Sequence, residues 1–357
     1  HDIHDSNFWW IELGGEQDSI GDTEEIRDEL LKIAYGVWDH IKNQGDHGAE
    51  NWILDWVGFL PGKRESRRYV GDHILTQNDV RAGGRFADLV AYGGWTMDDH
   101  NPAGFAYPGE PTIFHPAPSP FGIPYSCLYS KNIANLFFAG RNISVTHAAL
   151  SATRVMATCA TLGQAVGTAA ALAIADSLSP REVSARKISE LKQALMEDDC
   201  YLPWNRRAVP PLTLSAGLKA SEGDPEPLRN GLDRPTDGAD NGWSGKLGSW
   251  VEYAFQRPER ICQLRFVFDS ELNRQGKNMP CSFPLGGEPR RVPETLVRAF
   301  RIETRGEDGS WRVVRRVENN YQRLVNLSVD FATRAVRFVP EATWGAERAH
   351  VFAWDVR

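Results

Sequence analysis

The sequence predicts a mixed α/β half followed by an all-β sandwich, and three observations predict it. Up to about residue 205 there are stretches of helical period at Thr23–Asn43, Thr153–Ser177 and Pro180–Met196, alternating with strand-like runs. Beyond Leu212 helical period gives way to short period-2 strands, "WVEYAF", "LRFVF", "AFRIET", "WRVVRRV", "AVRFV" and "VFAWDV", separated by Gly, Pro, Asp and Asn clusters such as "TRGEDGSW". Between these textures lies "PWNRRAVPPLTLS", where Pro203, Pro210 and Pro211 cannot continue a helix and read as a linker.

In the first half the strand-like runs are "NFWWIEL", "NWILDWVGFL", "FADLVAYGG" and "NLFFAG". With 357 residues, 41% of them hydrophobic, the chain is long enough for about two or three domains that each bury a core. Forty Lys and Arg against 47 Asp and Glu give a net charge of −7, without a block of like charge, which argues against a nucleic-acid partner. The longest mostly apolar run, Val166–Ala175, is short of the roughly 20 residues that span a bilayer, so no transmembrane segment is expected. Cys127, Cys159, Cys200, Cys262 and Cys281 are odd in number and scattered, which favours free thiols over a disulfide framework or a metal site. The chain opens at His1 without a Met or a signal-peptide pattern, and the expectation is that it is part of something longer.

The densest chemistry lies in "NLFFAGRNISVTHAALSATRVMATCATLGQAVGTAAALA", Asn135–Ala173. An apolar strand ends at Gly140, the polar "RNISVTH" follows, and a helix of small residues continues with Gly163 and Gly167 on one side. Read alone, that spacing fits tight helix-on-sheet packing as well as the approach of a flat ligand. Upstream, "GKRESRRYVGDHILTQNDV" crowds Arg64, Arg67 and Arg68 into a short stretch. Their planar forks suit a carboxylate, a phosphate or a developing oxyanion, and the alternative is pairing with Glu65. "DLVAYGGWTMDDH" places His100 after a Gly-rich turn, where a hydrogen-bonded structural histidine is the alternative to a catalytic one.

The Asn135–Ala173 stretch resembles the C-terminal cofactor motif of FAD-dependent oxidoreductases of the glutathione-reductase and fumarate-reductase kind, through "AGR" at Ala139–Arg141 and the letters from Ile143 to Ala173. The two upstream segments are also similar to that family. The resemblance implies an FAD cofactor, with Ala139, Gly140, Arg141 and Asn142 along its ribityl chain and pyrophosphate. It places Ser151, Val155, Met156 and Ala157 near the flavin, where a helix N-terminus would stabilise negative charge on the reduced ring. It also brings His147 and Arg154 to the reacting centre, with Arg67, Arg68 and His100 as further catalytic candidates. His147 would handle the substrate proton, or only orient the cofactor, and Arg154 would polarise the substrate oxygen. The family's GxGxxG partner motif occurs nowhere in the 357 residues.

The second half resembles the galactose-binding-like sandwich of discoidin and coagulation-factor C-type domains, through Asn230–Asn273 and the closing "AHVFAWDVR". That implies a sugar partner for loop aromatics, with Trp243 as the stacking platform. The expected organisation is a substrate-domain portion at 1–130, the closing segment of an FAD domain with its following helices at 131–202, a linker at 203–211 and the sandwich at 212–357. The expected function is hydride transfer between flavin and a small substrate, a sugar or an anion. The alternative is a non-catalytic carbohydrate-binding protein with a vestigial flavoprotein scaffold. No metal site is expected.

Overall fold

The computed structural model describes residues 8–272 and 291–357, so Cys281 lies outside the described residues. Two compact units emerge: the first holds residues up to 192 together with 201–203, the second holds 193–200 and 204–357 apart from the undescribed stretch.

In the first unit α1 (Thr23–Asn43) has the predicted bounds, with Glu24 and Glu25 in its first turn and His40 and Lys42 in its last, each complementing the helix dipole. A short α2 (Gln77–Arg81) starts in a capping box between Thr76 and Asp79. Strands β1 (Leu89–Gly93) and β4 (Phe121–Pro124) pair antiparallel, as do β2 (Met97–His100) and β3 (Thr112–His115). The helix expected over Thr153–Ser177 is two helices, α3 (His147–Thr153) and α4 (Met156–Asp176), because Val155 takes extended angles between them. Pro180–Met196 likewise divides at Lys187 into α5 (Pro180–Arg186), opened by a capping box of Ser179 and Glu182, and α6 (Ile188–Glu197).

Three expected strands are corrected. "NFWWIEL" and "NWILDWVGFL" pair with no strand among the described residues, and "NLFFAG" forms only an isolated bridge from Phe137 to Tyr129. An apolar run becomes a strand only when a neighbour takes its backbone hydrogen bonds. The second run instead leaves Ile53, Trp56 and Leu60 about three-quarters exposed, at 78%, 75% and 78%. α4 is long and apolar enough to cross a bilayer by length and composition alone, a property that core helices of soluble proteins share; the apolar run counted in the sequence ignored its interspersed Thr and Gly. In this structure α4 buries Thr158, Leu162, Ala165, Ala169 and Ala173 and packs on β1, on α5 and on the turn at Gly140–Asn142.

The second unit takes in the end of α6 from Gln193, a short α7 (Pro211–Ser215) and the strands β5 (Gly217–Ala220), β6 (Trp243–Lys246), β7 (Val251–Phe268), β8 (Val297–Arg305), β9 (Trp311–Val317), β10 (Leu324–Thr343) and β11 (Arg348–Val356). The antiparallel order is β6-β11-β7-β10-β8-β9, with β5 also on β7. One pair of runs expected as separate strands lies in a single long one: "WVEYAF", from its Val251, and "LRFVF" both belong to β7. β7 pairs with β5 through Val251–Ala254 and with β11 through Leu264–Phe268, while the facing β10 is bulged between Ser328 and Ala335. Both long strands therefore pass from one layer of the sandwich to the other, the bulges supplying the bend. The inner faces close on Phe266, stacked on Trp354 at 5.8 Å and 8° and on Phe268 at 5.6 Å and 11°, with Tyr253, Phe300 and Phe338 around them. Burying each such ring stabilises by roughly 1.5–3 kcal/mol.

Trp243 belongs to that core and not to a loop. It is 1% exposed, points inward from β6, and its Nε1 donates to the Glu222 carbonyl at 2.9 Å, so it is no stacking platform.

At one end of the sandwich His350, on β11, links two loops: Nδ1 lies 2.9 Å from Asp269 and Nε2 3.0 Å from Asp240. Both contacts are hydrogen bonds only when the ring is charged. Burial works to lower the His350 value, but the two carboxylates prevail and raise it above 6.5. A raised folded value contributes stability that is complete below the unfolded value and is lost as pH rises through the folded one. Between mildly acidic and mildly alkaline pH the sandwich is thus expected to lose more urea resistance in wild type than in His350→Gln. Equal pH dependence of the two unfolding midpoints would remove His350 as a contributor.

Candidate active site

The first unit holds a cavity of ≈ 760 Å³ whose lining includes Glu12, Arg64, Glu65, Arg68, His100 and His147. β2 organises it. Its Asp98 and Asp99 stand next to each other, and each anchors one histidine.

His100, the last residue of β2, is largely buried, with 8% of its side chain exposed. Its Nδ1 is 2.7 Å from Glu12 Oε2 and its Nε2 is 3.2 Å from Arg154 Nη2. Nε2 also lies 3.3 Å from Asp98 Oδ1, so the ring is held between Glu12 on one nitrogen and Asp98 with Arg154 on the other. Glu12 reaches this position because Phe105 N donates to its carbonyl at 2.8 Å beside Gly104, where any side chain would collide with that carbonyl. The other Glu12 oxygen takes Arg64 Nη1 at 2.7 Å. Burial and the nearby Arg154 lower the Arg64 value, opposed by Glu12, Asp98 and Asp99. Arg154, at the end of α3, donates to Asp98 Oδ2 at 3.0 Å. Burial works to raise the Asp98 carboxyl, but the Thr112 hydroxyl at 2.6 Å, His100 and Arg154 hold it below its ordinary value.

His147 opens α3 and is half-exposed, at 53%. Nδ1 lies 2.6 Å from Glu65 Oε2 and Nε2 3.0 Å from Asp99 Oδ1. Glu65 is also paired with Arg68, which fulfils the structural alternative for that arginine. Arg67 is exposed and does not line the cavity; the charge it acts on is Asp18.

The residues expected along the cofactor form a second cluster. Ala139 is extended, and Gly140 turns the chain at φ +79° with open space where a Cβ would stand. Arg141 Nη1 donates to Asn142 Oδ1 at 3.0 Å. The turn lies against α4, whose N-terminus has no side-chain cap at Val155 and shows Met156 at 88% exposure beside an exposed Ala157. Ser151 stands apart, buried, with its hydroxyl donating to the Ala148 carbonyl at 2.6 Å. The outer face of α4 has nothing near Gly163 or Gly167.

Both histidines and Arg154 are candidates from the sequence, but not Glu12, Asp98 or Asp99, which the structure places beside them. The acidic pair is visible in "TMDDH", whereas Glu12 is 88 residues from the histidine it holds and gives no local signal. No group of His, Cys, Asp and Glu suited to a metal occurs among the described residues.

A family model described as FAD dependent oxidoreductase matches residues 3–195, more than half of the chain, and the chain belongs to that family. Among solved structures it is similar to three β-sandwich modules. The family 32 carbohydrate-binding module of Streptococcus pneumoniae EndoD is 14% identical, covering 40% of this chain and 97% of its own, with a TM-score of 0.30. The family 32 module of C. perfringens NanJ, solved with galactose, is 8% identical over 40% and 94%, with a TM-score of 0.29. A Streptococcus pneumoniae fucose binding module is 10% identical over 41% and 92%, with a TM-score of 0.30. No curated protein matches the chain in sequence.

Proposed function

We propose that the chain contributes the substrate side and part of the flavin side of an FAD-dependent oxidoreductase that moves a hydride between a small substrate and the flavin. The carrying observation is that α4, a 21-residue helix whose N-terminus has no side-chain cap, packs against the glycine turn at Gly140–Asn142. The residues fit the cofactor: free N–H groups and the dipole suit pyrophosphate or a negatively charged ring, and the open side of Gly140 and the small residues of α4 leave room for it. Ala139–Asn142 and Val155–Ala157 would hold FAD, whereas the buried Ser151 hydroxyl is spent on the Ala148 carbonyl. FAD, when bound, supplies the two-electron chemistry.

The protein's own share is proton handling and orientation. Neutral His147 with Nδ1–H on Glu65 keeps a lone pair on Nε2 that takes the proton of a substrate hydroxyl. Glu65 and Asp99, 2.6 and 3.0 Å from the two ring nitrogens, would then hold the imidazolium together. Arg154, fixed by Asp98 and His100, polarises the substrate oxygen. Arg68 and Arg64 act through the carboxylates they pair with, and Arg67 stands outside this scheme.

Titration with FAD, followed by the visible flavin spectrum, tests the reading. Uptake is expected to be weak, since no GxGxxG is present, and Gly140→Val is expected to weaken it a further ~tenfold or more by straining the turn and filling its open side. A protein that takes up no FAD defeats the reading and favours the non-catalytic alternative.

A second reading concerns the sandwich. Tyr321, 57% exposed, packs at a tilt against Trp344 with the ring centroids 4.5 Å apart, and these two, not Trp243, are the loop aromatics we propose for a glycan.

A further inference from the structure

We infer that the substrate of the Glu65–His147 cavity is a neutral, polyhydroxylated molecule of sugar size and not an anion; the inference rests on the proposed function of that cavity as a substrate site.

An anion needs a cation free to meet it, and the cations lining the cavity are engaged. Arg64 is held by Glu12 at 2.7 Å, Arg68 by Glu65, and Arg27 by Asp28 at 2.7 Å and by Glu24. Lys63 donates to the Thr23 hydroxyl at 2.7 Å. An anion that took Arg64 would expel Glu12, and with it the hydrogen bond that holds His100. The ground beside His147 is worse still. Glu65 and Asp99 stand on the two ring nitrogens at 2.6 and 3.0 Å, so a carboxylate or phosphate approaching the imidazole meets two like charges.

The same groups suit hydroxyls. A carboxylate has about four acceptor sites, so Glu12 and Glu65, each already taking a cation and a histidine, retain lone pairs for O–H donors. Arg68 offers N–H groups to hydroxyl oxygens. Ile11, Leu13, Leu30 and Val57 supply apolar wall for C–H faces, and ≈ 760 Å³ lies within the range of small-molecule sites. Oxidation of such a substrate balances as one C–H hydride to the flavin and one O–H proton to His147 Nε2, leaving a carbonyl.

The test is NMR of the full chain with isotope-labelled histidine, titrated with matched pairs of probes: galactose and galacturonate, glucose and glucuronate. Signals are assigned through His147→Gln and His350→Gln. The neutral member of at least one pair is expected to shift the His147 ring signals, with the uronate partner binding ~tenfold more weakly or less. A sugar held by the sandwich would move His350 and leave His147 in place, and counts against the inference if it is the only response. Tighter uronate binding at His147, or no neutral probe moving His147 up to its solubility limit, overturns it. Flavin uptake is read on the same samples. Failure to take up FAD with the His147 shifts intact defeats the redox reading while upholding the substrate class.

Discussion

Asp233→Ala is expected to cost the sandwich about 3–5 kcal/mol, the range for breaking a buried ion pair from one side. Asp233 sits between two guanidiniums, Arg207 Nε at 2.9 Å and Arg265 Nη1 at 3.0 Å. Arg265 is wholly buried and Arg207 nearly so, at 0% and 4% exposure. Burial presses the Asp233 value upward, but Arg207 and Arg265 hold it below its ordinary value, so it is the ionised partner. Asp355, 2.6 Å from Arg207, is pushed the other way by burial. Removing Asp233 leaves two buried cations with Asp355, whose ionised form burial disfavours, and with the partly exposed Glu197, 3.3 Å from Arg265 Nε. Calorimetry of the full chain should show the sandwich transition falling by about 10 °C or more. Asp233→Asn, which keeps an acceptor and the volume, should fall between the two. A transition within about 2 °C of wild type would mean that water reaches the arginines and that the cluster is not closed.

That clasp shows where reading the sequence stops. α1 was legible to the residue because its period, its acidic first turn and its basic last turn are local. The second half was legible as strands because alternation is local too, but not that "WVEYAF" and "LRFVF" are one strand, since the bend depends on bulges in β10, whose pairing register no local pattern encodes. Arg207 stood inside a segment read as a linker, and nothing near it announces partners 26 and 148 residues further on. The candidate site divides in the same way. His147, Arg154 and the Gly140 turn lie in one continuous motif, whereas the carboxylates that fix His147 are 82 and 48 residues distant. Trp243 failed for a different reason: aromatic residues in loops and at inward strand positions look alike until the register of β6 on β11 is known.

His147→Gln is expected to lower turnover per bound flavin about 10²–10⁴-fold, the usual contribution of a positioned acid or base. The side chain is half-exposed on the first turn of α3, and that helix is capped by Thr146 and not by His147, so the fold should survive the change. Glutamine can still donate to Glu65 or Asp99 but cannot take a proton, which separates chemistry from orientation. FAD content should stay within about twofold of wild type, because the proposed cofactor cradle at Gly140–Asn142 and the start of α4 makes no use of the imidazole. The decisive measurement is the single-turnover rate of flavin reduction at saturating substrate, normalised to flavin absorbance. A rate close to wild type would assign His147 to orientation and move the proton to another group, with Glu65 or Asp99 next in line by distance. A loss of flavin together with the loss of rate would place His147 in the cofactor cradle, and the boundary drawn between the two clusters would be wrong.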